Sequence, residues 1–95
     1  MYVRIVRFQD VRRDRLEELL ARSEGSGGPP PGVSATRVQM LFDEQQGTAV
    51  VLQLFDSAED MLSSEDALSG MDPSETPGTR VSVDRCELLR EFIAS

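Results

Sequence analysis

The sequence predicts an α+β fold with one four-stranded antiparallel sheet and two helices on one of its faces. Three observations lead to this prediction. Four segments are rich in β-branched and aromatic residues, as strands are, and two others carry apolar residues at helical spacing. Stretches rich in glycine and proline separate several of these segments. We expect one domain over residues 1–95, because domains with their own core rarely fall below about 50 residues.

The first strand is predicted at residues 2–8 and the first helix at residues 10–22. Asp10 is the expected N-cap of this helix, whose leucines recur on one helical face. Residues 23–34 cannot continue the helix, because glycines and prolines crowd this segment. We expect it to be a flexible surface loop.

A hairpin and a second helix follow. Strands are predicted at residues 35–42 and 48–55, and a turn at 43–47 joins them. Acidic residues follow the second of these strands, and Ser57 with Asp60 has the spacing of a capping box. The sequence therefore predicts a helix that starts after Ser57 and either continues or restarts at Ser64.

The last strand is predicted at residues 79–89 by its alternating β-branched residues. The remaining residues are either an extension of this strand or a frayed tail. The element order is then β-α-β-β-α-β, the split βαβ arrangement of a ferredoxin-like sandwich.

Missing residue types exclude several chemistries. The chain has no His, Trp, Asn or Lys, and all ten basic residues are Arg. Without histidine, a Ser/His/Asp or Cys/His nucleophilic system cannot form, and histidine ligands for zinc, iron or haem are lacking. We expect no metal and no cofactor.

The charge pattern argues against polyanionic partners. The net charge is −7, and no basic residue lies between Arg37 and Arg80. Such a surface repels phosphate backbones and anionic lipids, so we expect neither nucleic acid nor membrane as a partner. The first ten residues contain Arg within their apolar run, unlike a signal peptide, and we expect a cytoplasmic protein. Cys86, the only cysteine, is expected to be a small buried residue of the last strand.

The third predicted strand points to a second subunit. Its alternate residues are apolar on both sides: Val50, Leu52 and Leu54 point one way, and Ala49, Val51 and Phe55 the other. Two helices can cover only one face of the sheet. We therefore predict a homodimer in which the other face packs against a sister subunit.

Two longer stretches carry a resemblance to a known family. They are PGVSATRVQMLFDEQQGTAVVLQLFDSAEDM, in which a strand ends in an aromatic residue followed by Asp-Ser and a helix, and PGTRVSVDRCEL near the end. With the N-terminal strand, this pattern resembles the dimeric α+β barrel superfamily, and within it the group related to antibiotic biosynthesis monooxygenases. The resemblance implies that two sheets associate face to face into a barrel and that each subunit has a pocket between its sheet and helices.

The chain lacks the residue types that the members of that family use for their activities. Relatives oxygenate polyketide-like aromatics without a cofactor, or degrade haem, and they use Asn, Trp and His for this. None of these three residue types occurs in the chain. Phe55 stands where many relatives carry Trp, and it keeps apolar bulk without an N–H donor.

The alternation of side chains along the strands predicts which residues line a pocket. If Val50, Leu52 and Leu54 face the helices, together with Val3 and Ile5, the opposite face carries five pocket candidates. These candidates are Tyr2, Arg4, Val51, Gln53 and Phe55. Arg4 and Gln53 would be polar groups in an apolar enclosure, as in ligand sites. The alternative is that they form hydrogen bonds across the dimer interface, for example from Arg4 to Asp84.

Three functions remain open. The first is a homodimeric module that binds a small, mostly apolar molecule. The second is a cofactor-independent oxygenase, in which Tyr2 or Arg4 polarises an aromatic substrate. The third is an interaction protein with a filled pocket.

Overall fold

The backbone forms four strands and two helices in the predicted order. The computed structural model describes residues 1–26, 32–70 and 76–94. The elements are β1 (Tyr2–Gln9), α1 (Arg13–Ser26), β2 (Arg37–Asp43), β3 (Thr48–Phe55), α2 (Ala58–Ser69) and β4 (Thr79–Glu87). Neither helix is long and apolar enough, within the described residues, to cross a membrane.

The strands form one antiparallel sheet in the order β2-β3-β1-β4. The first and third strands of the chain are therefore central, and the two helical connections cross over them. The predicted α+β class is confirmed, and this strand order is consistent with a ferredoxin-like sheet.

The hairpin between β2 and β3 is confirmed, but β2 runs from Arg37 to Asp43 instead of 35–42, so the turn is residues 44–47 and one residue shorter than predicted. Asp43 closes the turn, because its carboxylate accepts hydrogen bonds from the backbone N–H (3.2 Å) and side-chain amide (2.7 Å) of Gln46. Gly47 has a φ of 69°, a left-handed conformation in which glycine carries no steric penalty. The Gly47 carbonyl also accepts a hydrogen bond from the backbone N–H of Val11 at 2.8 Å, so the hairpin is tied to the end of β1.

The start of α1 differs from the prediction. Asp10 has a φ of 57° and lies in a turn, so it is not the N-cap, and the helix begins at Arg13. Val11 lies between β1 and α1, outside regular structure, and is buried in the core. The helix begins only after this core contact, and Asp14 is the acidic residue of its first turn.

The end of α1 also differs from the prediction. The helix continues to Ser26, so the first four residues of the expected 23–34 loop are helical. Residues 32–36 are not helical, and residues 27–31 lie outside the described part of the chain.

The second helix is capped as predicted. The Ser57 hydroxyl accepts a hydrogen bond from the backbone N–H of Asp60 at 3.1 Å, and Glu59 and Asp60 lie in the first turn. The helix runs without a break to Ser69, so it does not restart at Ser64. Ser64 is fully buried instead; its hydroxyl donates to the Asp60 carbonyl and accepts from the Ser34 backbone N–H, each at 2.9 Å.

The last strand ends at Glu87, two residues earlier than predicted. One further ladder bond follows, from the Leu88 N–H to the Met1 carbonyl at 2.9 Å. Residues 88–94 have no regular structure, so the chain end is not an extension of the strand.

Both helices lie on the same face of the sheet. At one end, Leu16 of α1 packs with Val6, Phe8, Val11, Ala49 and Val51. At the other end, Met61 and Leu68 of α2 pack with Phe55. No described element covers the opposite face.

Candidate functional site

The five pocket candidates lie on one face of the two central strands. In the β1–β3 ladder, Tyr2 is opposite Phe55, Arg4 is opposite Gln53, and Val51 is opposite the next residue of that face, Val6. The prediction that the five share a face is confirmed.

That face is the one covered by helices, and the predicted orientation of the strands is wrong. Phe55 contacts α2 residues and is 0% exposed, whereas Val50, Leu52 and Leu54 are half-buried on the uncovered side. Val3 and Ile5 share that uncovered side, because they pair with Leu54 and Leu52.

The predicted orientation of the strands is wrong because of the two polar candidates. On β3 the two faces are almost equally apolar, so alternation alone does not choose between them. Arg4 and Gln53 suggested a face away from the core, but both are buried because α2 supplies a carboxylate for the guanidinium of Arg4.

A polar group of four side chains lies between the sheet and α2, and we call it the Arg4 cluster. It consists of Arg4, Gln53, Glu65 and Arg85. The Arg4 guanidinium donates to Gln53 Oε1 at 3.0 Å and, from Nε, to Glu65 Oε2 at 3.1 Å. Arg85 Nε donates to the same Glu65 oxygen at 3.1 Å, and its Nη2 donates to Glu65 Oε1.

Burial increases across the cluster from the edge of the sheet to its centre. The Arg85 side chain is 43% exposed, that of Glu65 is 19% exposed and that of Arg4 is 3% exposed. Arg85 lies directly opposite Arg4 on the edge strand, so solvent reaches the cluster from the β4 side.

Electrostatics explain why two guanidinium groups can lie on neighbouring strands. Like charges directly opposite each other destabilise a sheet, and here one carboxylate lies between them. Hydrogen bonds from Arg85, and then from Arg4, lower the pKa of Glu65 to about 2 in spite of partial burial. The cluster therefore carries two positive charges and one negative charge near neutral pH.

Glu65 and Arg85 were not among the predicted site residues. A signal for Glu65 exists in the sequence, because Met61, Ser64, Glu65 and Leu68 have the i, i+3, i+4, i+7 spacing of a buried helical face. No comparable signal marks Arg85, whose position depends on the β1–β4 register.

The cluster lies between two apolar groups. On one side are Phe55, Met61 and Leu68, with Tyr2, Val33 and Ala35 packed against them. On the other side are Val6 and Val51. Every buried side-chain nitrogen and oxygen of the described residues has a hydrogen-bond partner, so the buried polar atoms of the cluster are satisfied within one chain.

The alternative contact from Arg4 to Asp84 was expected across the dimer interface, but the two residues lie on opposite faces of the sheet. Arg4 lies under α2, whereas Asp84 lies opposite Ile5 on the uncovered face and pairs with Arg7 at 3.9 Å. Cys86 is on the same face, opposite Val3, and it is exposed in the single chain, so its predicted burial is wrong there. The prediction failed because the strand is an edge strand with one uncovered face.

A separate depression of about 490 Å³ lies between the start of α1 and residues 76–78. Its charged groups are of both signs and largely paired: Arg12 with Asp14 at 3.0 Å, and Arg15 with Glu18 at 3.9 Å. It contains none of the five candidates. Within the part of the chain that the structure describes, no three acidic or cysteine side chains are grouped so that they could hold a metal ion.

Comparisons with known proteins do not assign a family. No family model matches the chain, and no curated protein sequence matches it. The observed sheet and helices agree with the α+β architecture that the resemblance implies, whereas membership of the dimeric α+β barrel superfamily stays a prediction.

Proposed function

We propose that this protein is a homodimeric module that binds a small, mostly apolar molecule. Two copies pair through the uncovered faces of their sheets, forming the α+β barrel that the resemblance implies. Each copy binds its ligand between the sheet and α2, against the Arg4 cluster.

The uncovered face of the sheet supports the dimer. Its centre is apolar, and we call it the open face: Val3, Ile5, Val50, Leu52 and Leu54. Leu41 of the neighbouring strand extends it and is 54% exposed. A contiguous apolar surface of this kind on a small protein usually marks an interaction site.

Buried Arg4 is the single observation that carries the ligand-binding proposal. An ion pair in a protein interior is a weak source of stability, because apolar residues of similar volume are often as stable or more so. Arg4 nevertheless lies on a central strand, 2% exposed, between two apolar groups. A few convergent polar groups within an apolar layer are the usual composition of a ligand site.

The route to the cluster follows from its burial gradient. Arg85 is the exposed end, and Glu65 links it to Arg4. A ligand that enters from the β4 side meets the guanidinium of Arg85 first. Its apolar part would then lie against half-buried Tyr2, and α2 would move outward to admit it.

A dye titration tests the ligand site. The probe is 1-anilinonaphthalene-8-sulfonate, which combines an apolar body with one anionic group. We expect saturable binding with one dye per chain in the wild type, and affinity at least about tenfold weaker in Arg4→Met, because a charged hydrogen bond is worth about 1.5–3 kcal/mol. Arg7→Met is the matched control, since Arg7 is exposed on the same strand and points to the other face. Equal dye affinity in Arg4→Met and the wild type would remove the proposed site.

An interaction protein without a ligand is the second candidate. It is favoured by one observation: the buried polar atoms of the Arg4 cluster are already satisfied within the chain. This candidate predicts that the dimer forms and that neither wild type nor Arg4→Met shows saturable dye binding.

The oxygenase alternative stays a prediction. It requires oxygen uptake with an activated polyphenol that exceeds the rate in buffer and falls in Arg4→Ala. Uptake at the buffer rate with the wild type would exclude oxygenation of that class of substrate.

A further inference from the structure

Hydrogen-bond donors outnumber acceptors in the Arg4 cluster. Oε1 of Glu65 accepts from Arg4 Nη2 at 3.4 Å, from Ser69 Oγ at 3.0 Å and from Arg85 Nη2. Oε2 accepts from the Nε atoms of both arginines, each at 3.1 Å. A carboxylate offers about four lone-pair sites. Glu65 therefore has no acceptor capacity left for a further donor.

Arg85 has donors that the described chain does not use. Its Nε and Nη2 donate to Glu65, whereas its Nη1 has no partner among the described residues. The side chain of Arg85 is 43% exposed, so these N–H groups can be reached from solvent.

The charge of the cluster has the same implication. Arg4 and Arg85 share the carboxylate of Glu65, so one guanidinium charge is not compensated within the cluster. Glu87 is the next acidic residue on this face of β4, and it is exposed and forms no ion pair with the described residues. The cluster is therefore a local positive site in a chain whose net charge is −7.

We propose that the ligand of this site is an apolar acid, whose anionic group accepts hydrogen bonds from Arg85 and whose apolar body lies against Tyr2. This inference rests on the proposed ligand site and names the chemical class that the site selects.

The chemistry of the donors favours an acid over other amphiphiles. A carboxylate has acceptors and no donors, so it matches the unused N–H groups of Arg85. Its two oxygens also fit the planar fork of a guanidinium. An amine would add donors to a cluster whose own carboxylate is already fully used, and an alcohol would bring no charge.

The side chains beside Arg85 suit the apolar part of such an acid. Val83 lies on the same face of β4 and is half-buried. Tyr2 lies on the same face of the adjacent strand and is also half-buried. An apolar body that covers these two side chains removes their remaining exposed surface from water, which is favourable.

Octanoate, octanol and octylamine, which have the same straight chain, test the class. Their affinities for the wild type are measured by isothermal titration calorimetry, beside the dye titration of the proposed site. We expect octanoate to bind at least about tenfold more tightly than octanol, because charge-assisted hydrogen bonds are roughly twice as strong as neutral ones. Octylamine should bind no more tightly than octanol.

Two variants assign this preference to Arg85, and circular dichroism verifies that they are folded. In Arg85→Met and Arg85→Gln, octanoate and octanol should bind with affinities within about threefold of each other, since the charged donor is lost. Arg80→Met is the matched control, because Arg80 is an exposed arginine of the same strand that lies opposite Phe8, away from the cluster. It should keep the wild-type preference for octanoate.

The outcomes separate the class of ligand from the site itself. If the dye binds saturably while octanoate binds no more tightly than octanol, or does not bind, the acid is excluded and the apolar site stands. A wild-type preference for octanoate in both Arg85 variants would overturn the role of Arg85. If neither the dye nor any of the three compounds binds saturably, both proposals fail.

Discussion

Replacing Glu65 by glutamine is the most informative change to the Arg4 cluster. The substitution keeps the size of the side chain and removes its charge. Glu65 accepts hydrogen bonds from both Arg4 and Arg85, and among the described residues Gln53 is the other side-chain partner of Arg4. In Glu65→Gln, a guanidinium that is 3% exposed is left without a counter-charge.

The expected loss of stability follows from the burial of the two partners. Breaking one half of a buried ion pair costs about 3–5 kcal/mol when both partners are buried. The Glu65 side chain is 19% exposed, so water compensates part of the loss, and we expect about 2–3 kcal/mol. The lowered pKa of Glu65 has the same sign, because the guanidinium groups of Arg85 and Arg4 favour the ionised carboxylate in the folded state.

Urea unfolding followed by circular dichroism measures this loss at one fixed protein concentration. With a slope of about 1–1.5 kcal/mol per molar urea, the midpoint should fall by about 2 M in Glu65→Gln. Glu44→Gln is the control, because Glu44 pairs with Arg13 at the surface and its side chain is 64% exposed. If both variants shift the midpoint equally, the cluster is not a stabilising element and the reasoning fails.

Acid provides a second measurement of the same interaction. The folded pKa of Glu65 is lowered, so its contribution is complete above the unfolded value of 4.5 and is lost as the pH falls towards about 2. The stability difference between wild type and Glu65→Gln should therefore shrink between about pH 5 and pH 2. A difference that stays constant over this range would contradict the assigned protonation.

Three further outcomes are expected. Phe55→Ala should destabilise the fold by about 3–5 kcal/mol in urea unfolding, because the ring is fully buried; a loss below about 1 kcal/mol would contradict its packing under α2. Ser57→Ala should cost about 1 kcal/mol through loss of the N-cap, whereas Ser63→Ala, which changes an exposed hydroxyl of the same helix, should cost less than half of that; equal losses would exclude the cap. Cys86 should react with a thiol reagent at least about tenfold more slowly at high protein concentration than at a dilution that dissociates the dimer, and equal rates would place it outside the interface.

Local patterns predicted most of the fold. β3 and the cap at Ser57 were predicted at their observed positions, and the hairpin turn to within one residue, because each depends on residues close together in the sequence. The start of α1 could not be predicted in this way. Val11 is drawn into the core beside the hairpin, and this tertiary contact moves the helix start beyond Asp10.

The site was predicted in part. The sequence correctly predicted that the five candidates share a face, because side chains alternate along paired strands. It did not identify the face that the helices cover, because a buried arginine and glutamine resemble solvent-facing residues until Glu65 of α2 is placed beside them. Burial of a charge depends on a partner from a distant segment, and strand periodicity carries no information on that partner.

The central claim is that a second copy covers the open face of the sheet. Sedimentation velocity at micromolar concentration tests it with wild type and Leu52→Arg, which places a charge at the centre of that face. The account predicts a wild-type particle of about 21 kDa, twice the 10.5 kDa of one chain, and a folded monomer for Leu52→Arg. A stable wild-type monomer at these concentrations, or an unchanged dimer of the variant, would contradict it.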